Sequence, residues 1–269
     1  IMCYGNYVVL NNKKCIKVFT LLQKKSYNKY KNNVWRNLIM KTYLALDVGG
    51  SSIKYALIQE DSTILEKSSV PTPMDTMDHF VETIGTIYDQ YKDRIEGMAI
   101  SMPGIINPEI GYAFTGGALR YIDKMNIVDI LKERCPINIT IGNDAKCAAN
   151  AEIGYGNLQD IQDGAVVILG TGIGGCLIKD HKVHTGRHFS AGEFSFVKTN
   201  CLDGISWDYA WSTRNGIKGL LERVQESLGT NQEYTGIEIF DMANEGNEKV
   251  IEGISQFCKE VATQIFNVH

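Results

Sequence analysis

Two short glycine turns in this 269-residue chain each interrupt what read as two consecutive strands, and that placement limits the fold more than any other feature. Gly49-Gly50-Ser51-Ser52 separates the apolar stretch 43–48 from 53–59, and Gly170-Thr171-Gly172-Ile173-Gly174-Gly175 separates 165–169 from 176–179. In a Rossmann or P-loop site the glycine loop opens a helix whose N-terminus meets the phosphate. Here a strand follows each turn, so those two arrangements are disfavoured. A hairpin can still hold a phosphate, because glycines permit close backbone approach and successive N–H groups form an anion-binding concavity. Either turn alone is equally well explained as an ordinary hairpin. Their recurrence, about 120 positions apart, argues for a clamp made by two related α/β units.

Periodicity supports that duplication. The first unit reads as strands over 43–48, 53–59 and 64–70, then a helix with Met77, Phe80, Ile84, Ile87, Tyr88 and Tyr91 on one face. A strand over 97–101 ends at Pro103-Gly104, a helix covers 127–134, and a strand over 137–141 runs into an alanine-rich helix over 144–153. The second unit opens the same way, with strands over 165–169 and 176–179 and a third after Asp180-His181. A closing helix over 248–268 carries Val250, Ile251, Ile254, Phe257, Cys258, Val261, Ile265 and Phe266 on its apolar face. The domains expected are 40–155 and 156–269. Residues 1–39, which hold eight Lys or Arg, no acid and no sustained periodicity, read as a non-native or disordered leader.

Charge and composition narrow the function. Removing the leader's eight basic residues from 27 leaves 19 against 31 acidic, a balance of −12. An acidic body is a poor partner for nucleic acid. No apolar run approaches the roughly 18 residues of a membrane span. Seven scattered cysteines without a C-x-x-C pair fit reduced thiols, which points to the cytoplasm.

Several acids stand where chemistry needs them. Asp47, where the first strand meets its turn, suits Mg2+ held through water, since that ion keeps several waters and takes few carboxylates. Asn143-Asp144 lies between a strand and a helix; it is either a helix cap or the place of a base that accepts a hydroxyl proton. Glu193, in Ala191-Gly192-Glu193, and Asp208, beside Trp207, are either solvated acids or acceptors for sugar hydroxyls. His181, His184 and His188 lack the Cys or carboxylate spacing of a metal site.

Taken together, 46–54, Ser101-Met102-Pro103-Gly104, 142–149, 169–175 and Ala191-Gly192-Glu193 resemble, in order and spacing, the ROK family of bacterial sugar kinases and repressors. The resemblance covers essentially all of 40–269. It implies an α/β, actin/hexokinase-like (ribonuclease H-like) fold of duplicated domains with the active site in the cleft between them. It implies Asp144 as the base toward a hexose 6-hydroxyl, with Asn143 and Glu193 holding the sugar. The phosphates of ATP would be held by Asp47, Gly49, Gly50, Ser51, Ser52 and Lys54 in one hairpin and by Gly170, Thr171, Gly172 and Gly174 in the other, with Mg2+ carried by the nucleotide. A homodimer is also implied.

The chain departs from the family pattern in two places. Phe196 stands where most members carry a zinc-binding His, and only Cys201 remains of the following cysteine run, so no zinc is expected. Trp207-Asp208 with Ala210-Trp211-Ser212-Thr213 is similar instead to the zinc-free branch, glucokinase-like or β-glucoside-kinase-like, with Asp208 in place of a sugar-contacting Glu. Members also continue beyond the point matching His269, through a segment that closes on the adenosine, so a C-terminally truncated chain with an incomplete nucleotide site is expected. The alternatives are a sugar-responsive repressor, which needs a helix-turn-helix ahead of the body, and a kinase for fructose or N-acetylmannosamine.

Overall fold

The computed structural model of the chain describes residues 40–200 and 206–268; the leader read over 1–39 and Cys201 lie outside the described residues. In chain order the elements are Thr42–Val48 (β1), Ser52–Gln59 (β2), Ile64–Pro71 (β3), Met77–Tyr91 (α1), Gly97–Met102 (β4), Ile106–Asn107 (β5), Tyr112–Thr115 (β6), Asp123–Asn126 (β7), Ile127–Arg134 (α2), Ile139–Asn143 (β8) and Asp144–Tyr155 (α3). They continue with Gly164–Leu169 (β9), Ile173–Lys179 (β10), Lys182–His184 (β11), Trp211–Asn215 (α4), Ile217–Leu228 (α5), Gly236–Asn244 (α6) and Glu248–Val268 (α7). The described chain falls into two bodies, one of 40–164 with 178–191, the other of 165–177 with 192–200 and 206–268. No helix among the described residues is long and apolar enough to cross a membrane.

The first body is built on a five-stranded sheet in the order β3-β2-β1-β4-β8. Strands β1 and β2 are antiparallel, from Thr42↔Gln59 to Val48↔Ile53, whereas β1, β4 and β8 run parallel. Alternation sorts the side chains. Leu44, Leu46, Val48, Ile53, Tyr55 and Leu57 face the core, where Phe80, Ile84 and Ile87 of α1 and Ile127, Val128 and Leu131 of α2 meet them. The opposite phase of β1 carries Ala45 and Asp47, with Ala45 in a small cluster with Ala56 and Ile58. Thr76 caps α1, its side chain accepting from the His79 N–H. The apolar face read for α1 is the buried one, with Met77 packed half-buried at its edge.

Short strands β5, β6 and β7 form a separate antiparallel sheet that periodicity did not reveal, since two to four residues are too few to show a pattern. Strand β8 begins and ends two residues later than the 137–141 expected. It runs on through Gly142 and Asn143 because those residues pair with Ser101 and Met102 of β4.

In the second body, β9 and β10 are neighbouring strands, and helices α4 to α7 supply most of the core. Trp211, Val224, Ile239, Val250, Phe257 and Val261 are buried with Val167, Ile173 and Phe194. Ile251 and Phe266, read onto the apolar face of α7, are exposed at 42% and 81%. Phe266 lies nine residues from Phe257, at about 100° per residue, so it points half a turn away from the buried stripe. Gly253 lets α7 approach the backbone of α5 at Arg223 and Val224, where a Cβ would sit 2.7 Å from each. The Arg223 guanidinium, itself buried, donates to Glu260 at 2.8 and 3.2 Å, and Asn215 Nδ2 donates to the same carboxylate at 3.1 Å.

Candidate active site

Register places the acids of the first body. In the parallel strands Asp47 is level with Ser101, Ser101 with Gly142, and Met102 with Asn143. The C-terminal ends of β1, β4 and β8 therefore finish together, at the end of an open sheet where α/β proteins characteristically bind ligands. On the other side of β1, Lys54 of β2 is directly opposite Asp47. The buried Ser101 hydroxyl donates to Asp47 Oδ1 at 3.3 Å. Burial pushes the Asp47 carboxyl above its usual range, against the smaller pull of the Lys54 charge and the Ser101 hydrogen bond.

Between β1 and β2 the turn is Gly49, Gly50 and Ser51, with Ser52 already in the strand. The Gly49 N–H donates to Ser52 O at 3.0 Å. Thr72, just past β3, reaches back to the turn with its hydroxyl on Gly49 O at 2.6 Å and its N–H on Ser51 O at 3.2 Å. Sequence alone gave no sign of this, because the contact joins residues more than twenty positions apart.

Asn143 is the N-cap of α3, so the capping interpretation of this pair is correct for Asn143. Its Oδ1 accepts from the Lys146 N–H at 3.0 Å and its Nδ2 donates to Gly104 O at 2.9 Å. The side chain is buried, with both ends of its amide engaged by the protein. Gly104 makes this possible: its φ is +110°, and a Cβ there would overlap the Thr115 carbonyl. Asp144 is the first residue of α3 and its side chain is exposed. Asp144 Oδ1 accepts from the Ala145 N–H at 2.8 Å. Ionisation of a carboxylate is favoured at a helix N-terminus. Capping by Asn143 leaves the Asp144 carboxylate at the open end of the sheet.

The second glycine turn is shorter than expected. Gly170 N–H donates to Gly172 O at 2.9 Å, and β10 starts at Ile173, so Gly174 and Gly175 lie within the strand. Gly175 is required by packing, since a Cβ would overlap the Phe194 ring and the Val166 carbonyl. The turn is seated on the start of α4 and α5. Ser212 Oγ accepts from the Ile173 N–H at 3.2 Å and occupies the space a Gly172 Cβ would need, while Ile217 N–H donates to Gly170 O at 2.9 Å. Thr171 is exposed at the tip. Ser212 was visible in the sequence only as part of the resemblance around Trp207.

Glu193 and Asp208 belong to the same body. Gly192 has a φ of +73°, and a Cβ would stand 2.5 Å from Leu177 N, so only glycine fits immediately before Glu193. Glu193 is half-buried at the start of a short 3-10 turn. The limb that follows is joined to the limb carrying Asp208 by a bridge between Lys198 and Ala210 and by the Thr199 N–H on Tyr209 O at 2.8 Å and the Trp211 N–H on Val197 O at 2.7 Å. Asp208 is exposed, and its Oδ2 accepts from Ser206 Oγ at 3.0 Å. Phe196, which the resemblance sets in place of a zinc-binding His, has its ring centroid 5.3 Å from that of Trp207. Among the described residues no group of three or more His, Cys, Asp or Glu is placed to hold a metal ion.

Comparison with known proteins identifies the family. The model described as "ROK family" matches residues 43–269. The chain is 27% identical over 226 residues to a β-glucoside kinase of Klebsiella pneumoniae, covering 83% of this chain and 76% of that protein. It is 27% identical over 241 residues to an N-acetyl-D-glucosamine kinase of Haemophilus influenzae, covering 84% and 79%. Among solved structures it superposes, with a TM-score of 0.68 and 20% identity, on a ROK family glucokinase from Streptomyces griseus in complex with glucose and AMPPNP, covering 80% of this chain and 76% of that one. At that identity the likeness speaks for the fold, which is of the actin/hexokinase type. The chain belongs to the ROK family.

Proposed function

We propose that this chain is an ATP-dependent sugar kinase, transferring the γ-phosphoryl group of ATP to a sugar hydroxyl, with the 6-hydroxyl of a hexose as the acceptor. The observation that carries this is the level finish of β1, β4 and β8, which presents Asp47 and the Asn143-Asp144 pair at one end of a single sheet. The names of the relatives, kinases for a β-glucoside and for N-acetyl-D-glucosamine, support a sugar as substrate.

Asp144 is assigned as the base. Its exposed carboxylate accepts the proton of the attacking hydroxyl, and a weak base suffices because phosphoryl transfer depends mainly on positioning and electrostatics. Asn143, expected to hold the sugar, is buried with its amide engaged by Gly104 O and the Lys146 N–H, so it is assigned instead to fixing the end of β8 and the start of α3, and with them Asp144. Glu193 and Asp208 are assigned to the sugar hydroxyls, as carboxylates accepting hydrogen bonds. The phosphates are assigned to Gly49, Gly50, Ser51, Ser52 and Lys54, with Gly170, Thr171 and Gly172 as the second turn; Gly174, within β10, is left to the strand. Mg2+ would supply charge neutralisation of the phosphates, and a single half-buried carboxylate at Asp47 fits an ion that keeps most of its waters. The protein is further proposed to act in the cytoplasm as a homodimer.

The test is ATP consumption by the purified protein with glucose, mannose, fructose, N-acetylmannosamine, N-acetyl-D-glucosamine and cellobiose, with mass spectrometry of the products. At least one sugar gains a phosphate if the assignment is right. No phosphorylated product across the panel, with nucleotide bound, would speak for a sugar-sensing role instead.

A further inference from the structure

The Thr72-Pro73 segment lies outside every element named as catalytic, yet its polar groups point at one of them. Thr72 is 7% exposed, and both its hydroxyl and its N–H are donated to carbonyls of the Gly49–Ser51 turn rather than to its own loop. With Gly49 N–H on Ser52 O, three of the four carbonyls from Gly49 to Ser52 are met by donors. Among the described residues the amides of Gly50 and Ser51 have no protein partner. A carbonyl oxygen near a phosphate repels it, and an amide N–H attracts it. Satisfying the carbonyls while leaving amides available is therefore what a phosphate turn needs.

The segment is anchored from behind. Tyr121 donates its hydroxyl to Pro73 O at 2.8 Å. Burial pushes that phenol up to about 12, so it remains a donor throughout the neutral range. Tyr121 sits in a loop closed by Gly116 N–H on Ile122 O at 2.8 Å and Leu119 N–H on Gly116 O at 3.0 Å, and its ring meets Phe80 of α1. The brace thus runs from the turn through Thr72 and Pro73 to the Tyr121 loop, which is itself hydrogen-bonded and packed on α1.

We propose that Thr72 is a positioning residue for the nucleotide phosphates, held in place by Tyr121, and that it sets the affinity for ATP without touching the sugar. This rests on the assignment of the Gly49–Ser51 turn to phosphate. It is tested by calorimetric binding of AMPPNP and of the phosphorylated sugar's parent to the full chain and to Thr72→Val, Thr72→Ser and Tyr121→Phe. Thr72→Val keeps the shape but leaves Gly49 O without its donor, and is expected to weaken AMPPNP about tenfold, with sugar binding changed less than about twofold. Thr72→Ser restores the hydroxyl and is expected within about threefold of wild type, and Tyr121→Phe weakens AMPPNP about threefold. AMPPNP affinity unchanged in Thr72→Val, or sugar and nucleotide weakened in parallel, overturns the proposal. Should Thr72→Val not fold, unchanged affinity in Tyr121→Phe overturns it as well. A wild-type chain that binds no AMPPNP refutes the phosphate assignment itself, a result distinct from either of these.

Discussion

At the scale of single residues, the proposed site turns on two carboxylates with opposite environments. Asp144 is exposed at a helix start, whereas Asp47 is drawn into the sheet and its carboxyl is raised by burial. The raised value has a definite sign. The folded chain binds the Asp47 proton more tightly than the unfolded chain does, so this group disfavours folding above its folded value, and the penalty fades as pH falls through the window between folded and unfolded values. The function proposed for it needs the ionised form. Asp47→Asn is therefore expected to melt no lower than wild type at neutral pH, while apparent Mg2+ affinity in the kinase assay drops roughly 10–100-fold. A lower melting temperature with unchanged Mg2+ dependence would show that Asp47 is structural.

At the scale of elements, glycines and one ion pair hold the site-bearing segments. Gly192 and Gly229 both have left-handed φ, +73° and +68°, but a Cβ at Gly192 meets the backbone of Cys176 and Leu177 and one at Gly229 meets nothing within 4 Å. Gly229→Ala is expected to cost about 1 kcal/mol in urea unfolding, from φ alone, and Gly192→Ala about 3 kcal/mol or more, with loss of sugar binding through Glu193. Equal costs would mean that the Gly192 backbone does not approach so closely. Glu260 of α7 ties α5 and α4 through Arg223 and Asn215. Burial pushes its carboxyl up, but the hydrogen bonds from Arg223, Asn215 and Gln256 outweigh it and the net shift is downward. Its stabilisation is thus present above the unfolded glutamate value, about 4.3, and is lost as pH falls through the lower folded one. Glu260→Gln, leaving the buried Arg223 with only the exposed Glu226 at 3.6 Å as a charged partner, is expected to cost about 2 kcal/mol at pH 7, with the gap to wild type closing in acid. A gap independent of pH would exclude the ion pair as its source.

Much of this was legible from residue order. The short apolar runs of 43–48 and 53–58, broken by a glycine turn, marked the strands that flank Asp47, and the helical spacing from Met77 to Tyr91 marked the helix that packs on them, since burial on one face of a helix leaves a periodic trace. The family followed from the combination of turns and the Asn143-Asp144 pair. What stayed hidden was long-range or too short to be periodic: the β5-β6-β7 sheet, the Gly104 turn that receives Asn143, and Thr72 reaching the first turn. The second turn was read three residues too long because Ile173 to Gly175 look like loop in sequence, whereas pairing with β9 and contact with Phe194 make them strand.

At the scale of the whole molecule, the family match over 43–269 spans both bodies, the first carrying Asp47 and Asp144 and the second Glu193 and Asp208, the residues proposed for the site. The catalytic claim is concentrated in Asp144. Its most direct test is transfer of labelled γ-phosphate from ATP to the accepted sugar by wild type and Asp144→Asn, with sugar binding measured alongside by calorimetry. Wild type is expected to form the sugar phosphate, and Asp144→Asn to bind sugar within about threefold of wild type while turning over some 10²–10⁴-fold more slowly. Transfer by Asp144→Asn at the wild-type rate would contradict the assignment of the base.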